Sequence, residues 1–177
     1  VRSHLFEAWR RVSRRYGFQE YDAPPVEGLE LYTEKSGDEI VGQLYNFVDK
    51  GDREVALRPE MTPSLARMLG ERSRALPKPI RWFSIPQLFR YERPQKGRWR
   101  EFRQVGIELL GVATPIADIE VIALAHQILS KLGLADKVTL ELNSLGDAES
   151  RAAYRDKLVA YLKQHESKLS EDSRMRL

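Results

Sequence analysis

The chain contains no cysteine. Disulfides, thiolate metal sites and a cysteine nucleophile are therefore excluded, and the composition fits a reducing compartment. Histidine is almost as scarce. His4, His126 and His165 are the only three; they fall in separate predicted helices, and their spacing suggests neither a metal site nor a proton relay. They read as surface or packing residues. No apolar run approaches the ~20 residues needed to cross a bilayer, and no signal-peptide pattern opens the chain. Glycine-rich phosphate loops of the Walker or dinucleotide type are also absent. A nucleotide bound here would have to be held by side chains rather than by a backbone cradle.

What is present fits one soluble domain with a real core: 177 residues, 42% hydrophobic and 31% charged. There is no internal repeat and no low-complexity tract. A pI near 9.2 permits a polyanionic partner, while a net charge of +3 does not demand one.

The pattern predicts a helix over 3–16, with Leu5, Trp9, Val12 and Tyr16 on one stripe and Gly17 as its stop. An extended segment over 18–22 follows, ended by Pro24 and Pro25. Two strands, 44–48 and 54–58, flank a turn at Lys50, Gly51 and Asp52. Thr62 has the form of an N-cap, with Pro63 at the first helical position and a helix from Ser64 to about Glu71. Residues 80–90 are strand-like, with Pro86 marking an edge or a bulge. Residues 102–110 form the clearest strand. Val105, Ile107 and Leu109 point one way, and Phe102, Gln104, Gly106 and Glu108 the other. A helix from about Thr114 to Leu132 stopped by Gly133, a strand over 138–142, a turn over 143–146 and a helix over 148–165 complete the chain. Strands this close in sequence favour an antiparallel sheet with flanking helices, an α+β fold.

The charge is concentrated in one place. Between Arg90 and Arg103 lie six basic residues (Arg90, Arg93, Lys96, Arg98, Arg100, Arg103) against two acidic ones (Glu92, Glu101). That local surplus of +4 exceeds the +3 of the whole chain. Arginine forks suit phosphate oxygens because their planar donors bind in pairs.

The strands flanking this loop form a predicted long hairpin. Arg90 and Glu92 on one strand, and Phe102, Gln104 and Glu108 on the other, share a face. A half-exposed sheet would present such residues to solvent for no further reason. Two features argue otherwise. Gly106 sits on that polar face, where it weakens a strand unless something must come close. Phe102 has no core to fill there, and an aromatic beside arginines makes a platform for a nucleobase. Glu60, between a strand end and a helix start, could hold a ligand ammonium. Taken alone, helix-dipole complementarity explains it equally well.

These residues resemble a known family. The segment from Tyr16, Gly17 and Phe18 to Pro24, Pro25, Val26 and Glu27 is similar to motif 1 of the class II aminoacyl-tRNA synthetases. The segment Leu57, Arg58, Pro59, Glu60, with Thr62, resembles an amino-acid-binding loop. The run from Phe89 and Arg90 through Glu92, Arg93, Pro94, Gln95, Lys96, Gly97 and Arg98, followed by Phe102, Gln104, Gly106 and Glu108, resembles motif 2 as histidyl-tRNA synthetases write it. Residues 140–146, with Tyr154 and Arg155, resemble the segment entering that family's insertion domain.

The resemblance implies a partial class II catalytic core over residues 1–143 and the start of the insertion region over 144–177. The chain would end before motif 3 and any anticodon-binding domain, as an N-terminal piece of a synthetase. It implies ATP and Mg2+, histidine and tRNA(His) as ligands, a homodimer through motif 1, and a cytoplasmic setting without membrane. Arg90 would hold the α-phosphate as the catalytic cation and Arg98 the outer phosphates. Glu92 would contact ATP, and Phe102 would stack on adenine. Glu60, Thr62 and Gln104 would surround the amino end of histidine, and Glu108 would accept from its imidazole. The resemblance implies no metal ligand among the side chains.

Four positions depart from the family pattern. Met61 stands where glycine is usual and would crowd the amino-acid pocket. Pro63 and Ser64 lean toward the non-catalytic, histidine-sensing regulatory subunit of ATP phosphoribosyltransferase. Arg103 often corresponds to histidine, but strand parity points it away from Gln104. A plain RNA-binding domain using the basic hairpin is the third reading, and its binding would weaken steeply with salt.

Overall fold

The computed structural model describes residues 1–36, 38–144 and 146–175. The chain divides into two compact units, residues 1–137 and 138–177. The first opens with helix α1 (Arg2–Arg15) and the short strands β1 (Gln19–Glu20) and β2 (Val26–Gly28). Helix α2 (Glu30–Ser36) precedes the hairpin of β3 (Asn46–Val48) and β4 (Glu54–Leu57). Helix α3 (Thr62–Arg72) leads to β5 (Ile80–Ser84), β6 (Gln87–Phe89), β7 (Glu101–Arg103) and β8 (Gly106–Leu110). Helix α4 (Ile116–Lys131) follows.

Both long helices of this unit stop where the glycines predict. Gly17 adopts φ 78°. Its N–H donates to Arg14 O at 3.1 Å and that of Phe18 to Ser13 O at 3.0 Å, which is a Schellman cap. The same pair of bonds closes α4 at Gly133 and Leu134. The cap on α1 turns Phe18 inward, where it is buried with Val12, Phe83, Ile85, Leu124 and Ile128. This cluster seats α1 and α4 against the sheet. Arg81 of β5 binds Glu120 of α4 through both guanidinium nitrogens, one of them at 2.9 Å, and Glu120 raises the Arg81 pKa further.

The α+β architecture with flanking helices is as expected, but the sheet is divided into three. One has the order β1-β5-β8, the second β2-β4-β3, and β6 pairs with β7 alone. β1 runs parallel to β5, and the other strand pairings are antiparallel. The two long strands predicted over 80–90 and 102–110 are each broken. Pro86 has no N–H for the ladder, and the break falls at Ile85 and Pro86 opposite Gln104 and Val105. Ser84 pairs with Gly106 before the break and Gln87 with Arg103 after it. Two residues lie on each side, so the register continues and no bulge forms; of the edge or bulge that Pro86 marks, the edge fits, since β6 pairs with β7 alone.

Helix α3 starts one residue earlier than expected. Its N-cap is Met61, no side chain caps it, and Thr62 is already helical. Thr62 is therefore not a cap, and it is exposed.

In the second unit, residues 138–142 form no strand. Leu140 and Leu142 are exposed rather than turned into a ladder. Helix α5 (Ala148–Gln164) begins at Asp147, whose carboxylate accepts the Ser150 N–H at 2.8 Å. That bond, the largest cause, holds the Asp147 pKa below its usual value. A short helix α6 (Glu171–Met175) follows. Leu145, in the predicted turn, lies outside the described residues. Among the described residues no helix is long and apolar enough to cross a membrane.

One arginine ties the pieces of the first unit together. Arg58, only 4% exposed, follows β4. Its Nε donates to Gln87 O at 3.0 Å, and its Nη1 donates to Asp22 Oδ1 at 2.7 Å and to Ala23 O. Its own N–H donates to Pro25 O, and its carbonyl accepts from Phe89 N–H, both at 3.0 Å. The segment after β1, the end of β4 and the start of β6 thus meet on one side chain. Replacing Arg58 by alanine strands buried carbonyls and should lower stability by about 3 kcal/mol. Lysine restores the charge without the fork and should recover less than half of that loss. Urea denaturation of the three proteins checks this.

Candidate active site

Two adjoining depressions in the first unit share Glu60 and Arg90. Ile40, Gln43, Leu44 and Pro59 complete the first. Met61, Thr62, Ser84, Gln104, Gly106 and Glu108 line the second, over Pro86 and Leu88. The break in the long hairpin brings residues from both sides of it into one hollow. Of the predicted residues, Arg90, Glu60, Thr62, Gln104 and Glu108 meet here. A larger apolar hollow lies between α1, α4 and Val105, but its only charged side chains are Arg2 and Arg103. With no acid or hydroxyl to orient a reacting group, it is not where the chemistry sits.

Arg90 follows β6. Its N–H donates to Arg100 O at 2.9 Å and its Nε to Pro59 O at 3.2 Å. The guanidinium carbon stands 5.3 Å from the centroid of the Phe102 ring. Phe102 has a core role after all. It packs against the buried cluster of Ala23, Met61 and Leu88. Its half-buried ring is thus anchored from behind while Arg90 stands against it. Met61 is 8% exposed and belongs to the same cluster, so it borders the depression with its side chain largely packed into the core.

Glu108 is paired with Trp82 across β5 and β8, and Gly106 with Ser84. Strand alternation puts Ser84, Gly106 and Glu108 on one face. A Cβ on Gly106 would stand 3.3 Å from Ser84 Oγ. The glycine therefore leaves room over the floor, which explains its place on a polar face. Burial pushes the Glu108 pKa above its ordinary 4.5.

The basic run does not act as one patch. Arg98 pairs with Glu92 at 3.2 Å. Arg100 lies over Tyr91 at 4.3 Å and donates from Nε to Glu92 O at 3.0 Å. Tyr91 in turn meets Tyr45 edge-on at 5.1 Å. Arg103 faces away from the depression, as parity predicts, and stands 5.6 Å from the centroid of Phe6 in α1. Arg93 and Lys96 are exposed on the loop. No group of three histidine, aspartate or glutamate side chains among the described residues could hold a metal ion. Sequence reasoning named Arg58 only within the loop 57–60 without its bonding role, and did not single out Ser84, which lines the second depression. Arg58 carries no local signal, and Ser84 could have been found from its place opposite Gly106.

Short, mostly antiparallel sheets flanked by helices, with an arginine against an aromatic ring and Glu108 on the sheet face, match the architecture of a class II aminoacyl-tRNA synthetase catalytic core. The match is more particular than the class. The profile of the family Histidyl-tRNA synthetase covers residues 1–165, and the chain belongs to that family. It is 52% identical over 151 residues to a histidine–tRNA ligase of Leptospira biflexa, covering 83% of this chain and 35% of that one. The apo S. aureus histidyl-tRNA synthetase superposes with a TM-score of 0.74 at 28% identity, over 98% of this chain and 41% of that one. A Bacillus halodurans structure described as an ATP phosphoribosyltransferase regulatory subunit/histidyl-tRNA synthetase gives 0.65 at 27% identity, over 75% and 34%. The chain thus spans well under half the length of these relatives.

The raised pKa of Glu108 has a sign that can be checked. The folded state holds the proton to higher pH than the unfolded state, so ionising Glu108 lowers stability as pH rises above 4.5. Glu108→Gln should therefore raise the melting temperature at pH 7, and the gain should shrink as pH falls toward 4.5. Thermal melts of both proteins across that range test it.

Proposed function

We propose that this chain carries the histidine- and ATP-binding part of a histidine–tRNA ligase. The observation that carries the reading is Arg90, held by the Pro59 carbonyl against the Phe102 ring and bordering the depression that contains Glu108. Residues 1–143 would form the catalytic core with motifs 1 and 2, and residues 144–177 the start of the insertion region. A homodimer would form through the motif 1 region, and the reaction would run in the cytoplasm.

In this reading a histidine carboxylate oxygen attacks the α-phosphorus of ATP. The new P–O bond forms as the bond to the bridging oxygen breaks and pyrophosphate leaves. Arg90 offsets the charge that develops on the α-phosphoryl oxygens. Phe102 stacks on adenine, Glu92 contacts ATP and Arg98 holds the outer phosphates. The Glu92–Arg98 pair must part for both to reach the nucleotide. Glu60, Thr62 and Gln104 surround the ammonium. Thr62 is available because it does not cap α3. Glu108 accepts from the imidazole N–H and disfavours side chains that would leave its half-buried carboxylate without a donor. Positioning and electrostatics supply the catalysis, with no covalent enzyme intermediate. Magnesium would supply neutralisation of phosphate charge; with no cluster of three acidic or histidine side chains among the described residues to hold it, it would be held mainly through the nucleotide. A terminal ribose hydroxyl of tRNA(His) then attacks the histidyl carbonyl carbon; the ester bond forms as the acyl–phosphate bond breaks, AMP leaves and the hydroxyl proton is released.

A non-catalytic histidine sensor is the rival, favoured by Met61, Pro63 and Ser64. Retention of Arg90, Glu92 and Arg98 favours the ligase, because a sensor has no need of the phosphate apparatus. The test is histidine-dependent exchange of pyrophosphate into ATP by the gene product carrying this sequence. Arg90→Ala should reduce exchange by about 10²- to 10³-fold. Histidine binding without any exchange would turn the assignment to the sensor, and salt-sensitive RNA binding that ignores histidine would sink both.

A further inference from the structure

We propose that Ser84 is a specificity-determining residue, whose hydroxyl, backed by Tyr21, hydrogen-bonds the ring of the amino acid that Glu108 also contacts. This rests on the reading of the site given above.

Ser84 is 1% exposed, yet its Oγ makes no hydrogen bond among the described residues. Leaving a buried hydroxyl unpaired is costly, so such a group calls for a reason. Several other buried polar atoms share that condition, including those of Ser13, Tyr32 and Ser64. Ser84 is the one of them that lines the depression with Glu108 and Gln104. The missing side chain at Gly106 keeps a Cβ from crowding it, since one there would sit 3.3 Å from Oγ.

Tyr21 stands beside it. The Tyr21 N–H donates to Phe83 O at 2.9 Å, next to Ser84 along β5, and its ring lies 5.4 Å from that of Trp82, the partner of Glu108. The phenol oxygen is also buried and unpaired. Its pKa is raised first by burial, with Ser84 opposing and Glu108 adding to the rise. Ser84 opposes that rise as a hydrogen-bonding neighbour of the phenol, although the pair does not meet the distance and angle of a full hydrogen bond. One carboxylate and two hydroxyls therefore share this corner of the sheet. Glu108 answers one edge of an imidazole. A hydroxyl can donate or accept, so Ser84 can answer a second ring position, and Tyr21 can take up its remaining valence.

The two roles for Ser84 predict opposite results. If the hydroxyl were only an unpaired buried group, Ser84→Ala would be neutral or stabilising and would leave ligands alone. As a ligand contact, Ser84→Ala should weaken L-histidine by about fivefold, the scale of one hydrogen bond. Tyr21→Phe should weaken it less, and neither change should alter the Kd for ATP or lower the melting temperature. Calorimetric titration of the gene product carrying this sequence with L-histidine and with ATP, alongside Glu108→Gln, decides it. Unchanged histidine affinity in Ser84→Ala, with loss in Glu108→Gln, overturns the role of Ser84 and leaves the site reading intact. An equal weakening of histidine and ATP with a lowered melting temperature makes Ser84 structural and also overturns it. If Glu108→Gln has no effect on histidine either, both readings fall.

Discussion

The first unit depends on the buried guanidinium of Arg58. Its neighbours in space are backbone carbonyls from segments far apart in sequence, Ala23 on one side and Gln87 on the other. A hydrophobic contact could bring these segments together without fixing their orientation. A planar fork with several donors sets both distance and direction. Pro59 and Glu60 follow directly in the chain, and Arg90 lies three residues after Gln87. The position of the site is therefore set by the same side chain that closes the fold.

The site itself combines apolar support with a polar surface. Phe102 is fastened from behind by Leu88 and Met61, which leaves it a rigid plate rather than a mobile ring. Glu108 is buried enough to feel desolvation and open enough to be reached. Such a carboxylate is destabilising when empty and is relieved by a donor of the right shape. In the proposed reading, stability and recognition are traded against each other at this one residue.

Much of the secondary structure was legible because its signals are local. The stripe on α1, the glycines after α1 and α4 and the alternation around Glu108 each act within a few residues. The residues that gather around the second depression were legible too, since parity alone places Gln104, Gly106 and Glu108 on one face. The strand predicted over 138–142 failed for a related reason. Alternation there is real, but Leu140 and Leu142 find no ladder to join, and a strand needs a partner. Thr62 failed as a cap because Met61, a residue with no capping oxygen, is the one at the helix boundary.

By itself the sequence determined where α1 and α4 stop, the faces of the strand around Glu108, the family and the identity of the polar groups available to the site. The tertiary structure alone decided how the arginines are used. Six basic residues close in sequence look like one patch, yet Arg98 goes to Glu92, Arg100 to Tyr91, Arg103 toward α1 and Arg90 to Phe102 and the depression. It also decided that Phe102 has a core beneath it and that buried Ser84 and the hydroxyl of half-buried Tyr21 stand near Glu108. A cation, a ring or a hydroxyl takes its role from the groups it meets, and those come from elements distant in the chain. Local periodicity says which way a side chain points, and only the packed fold says what is there.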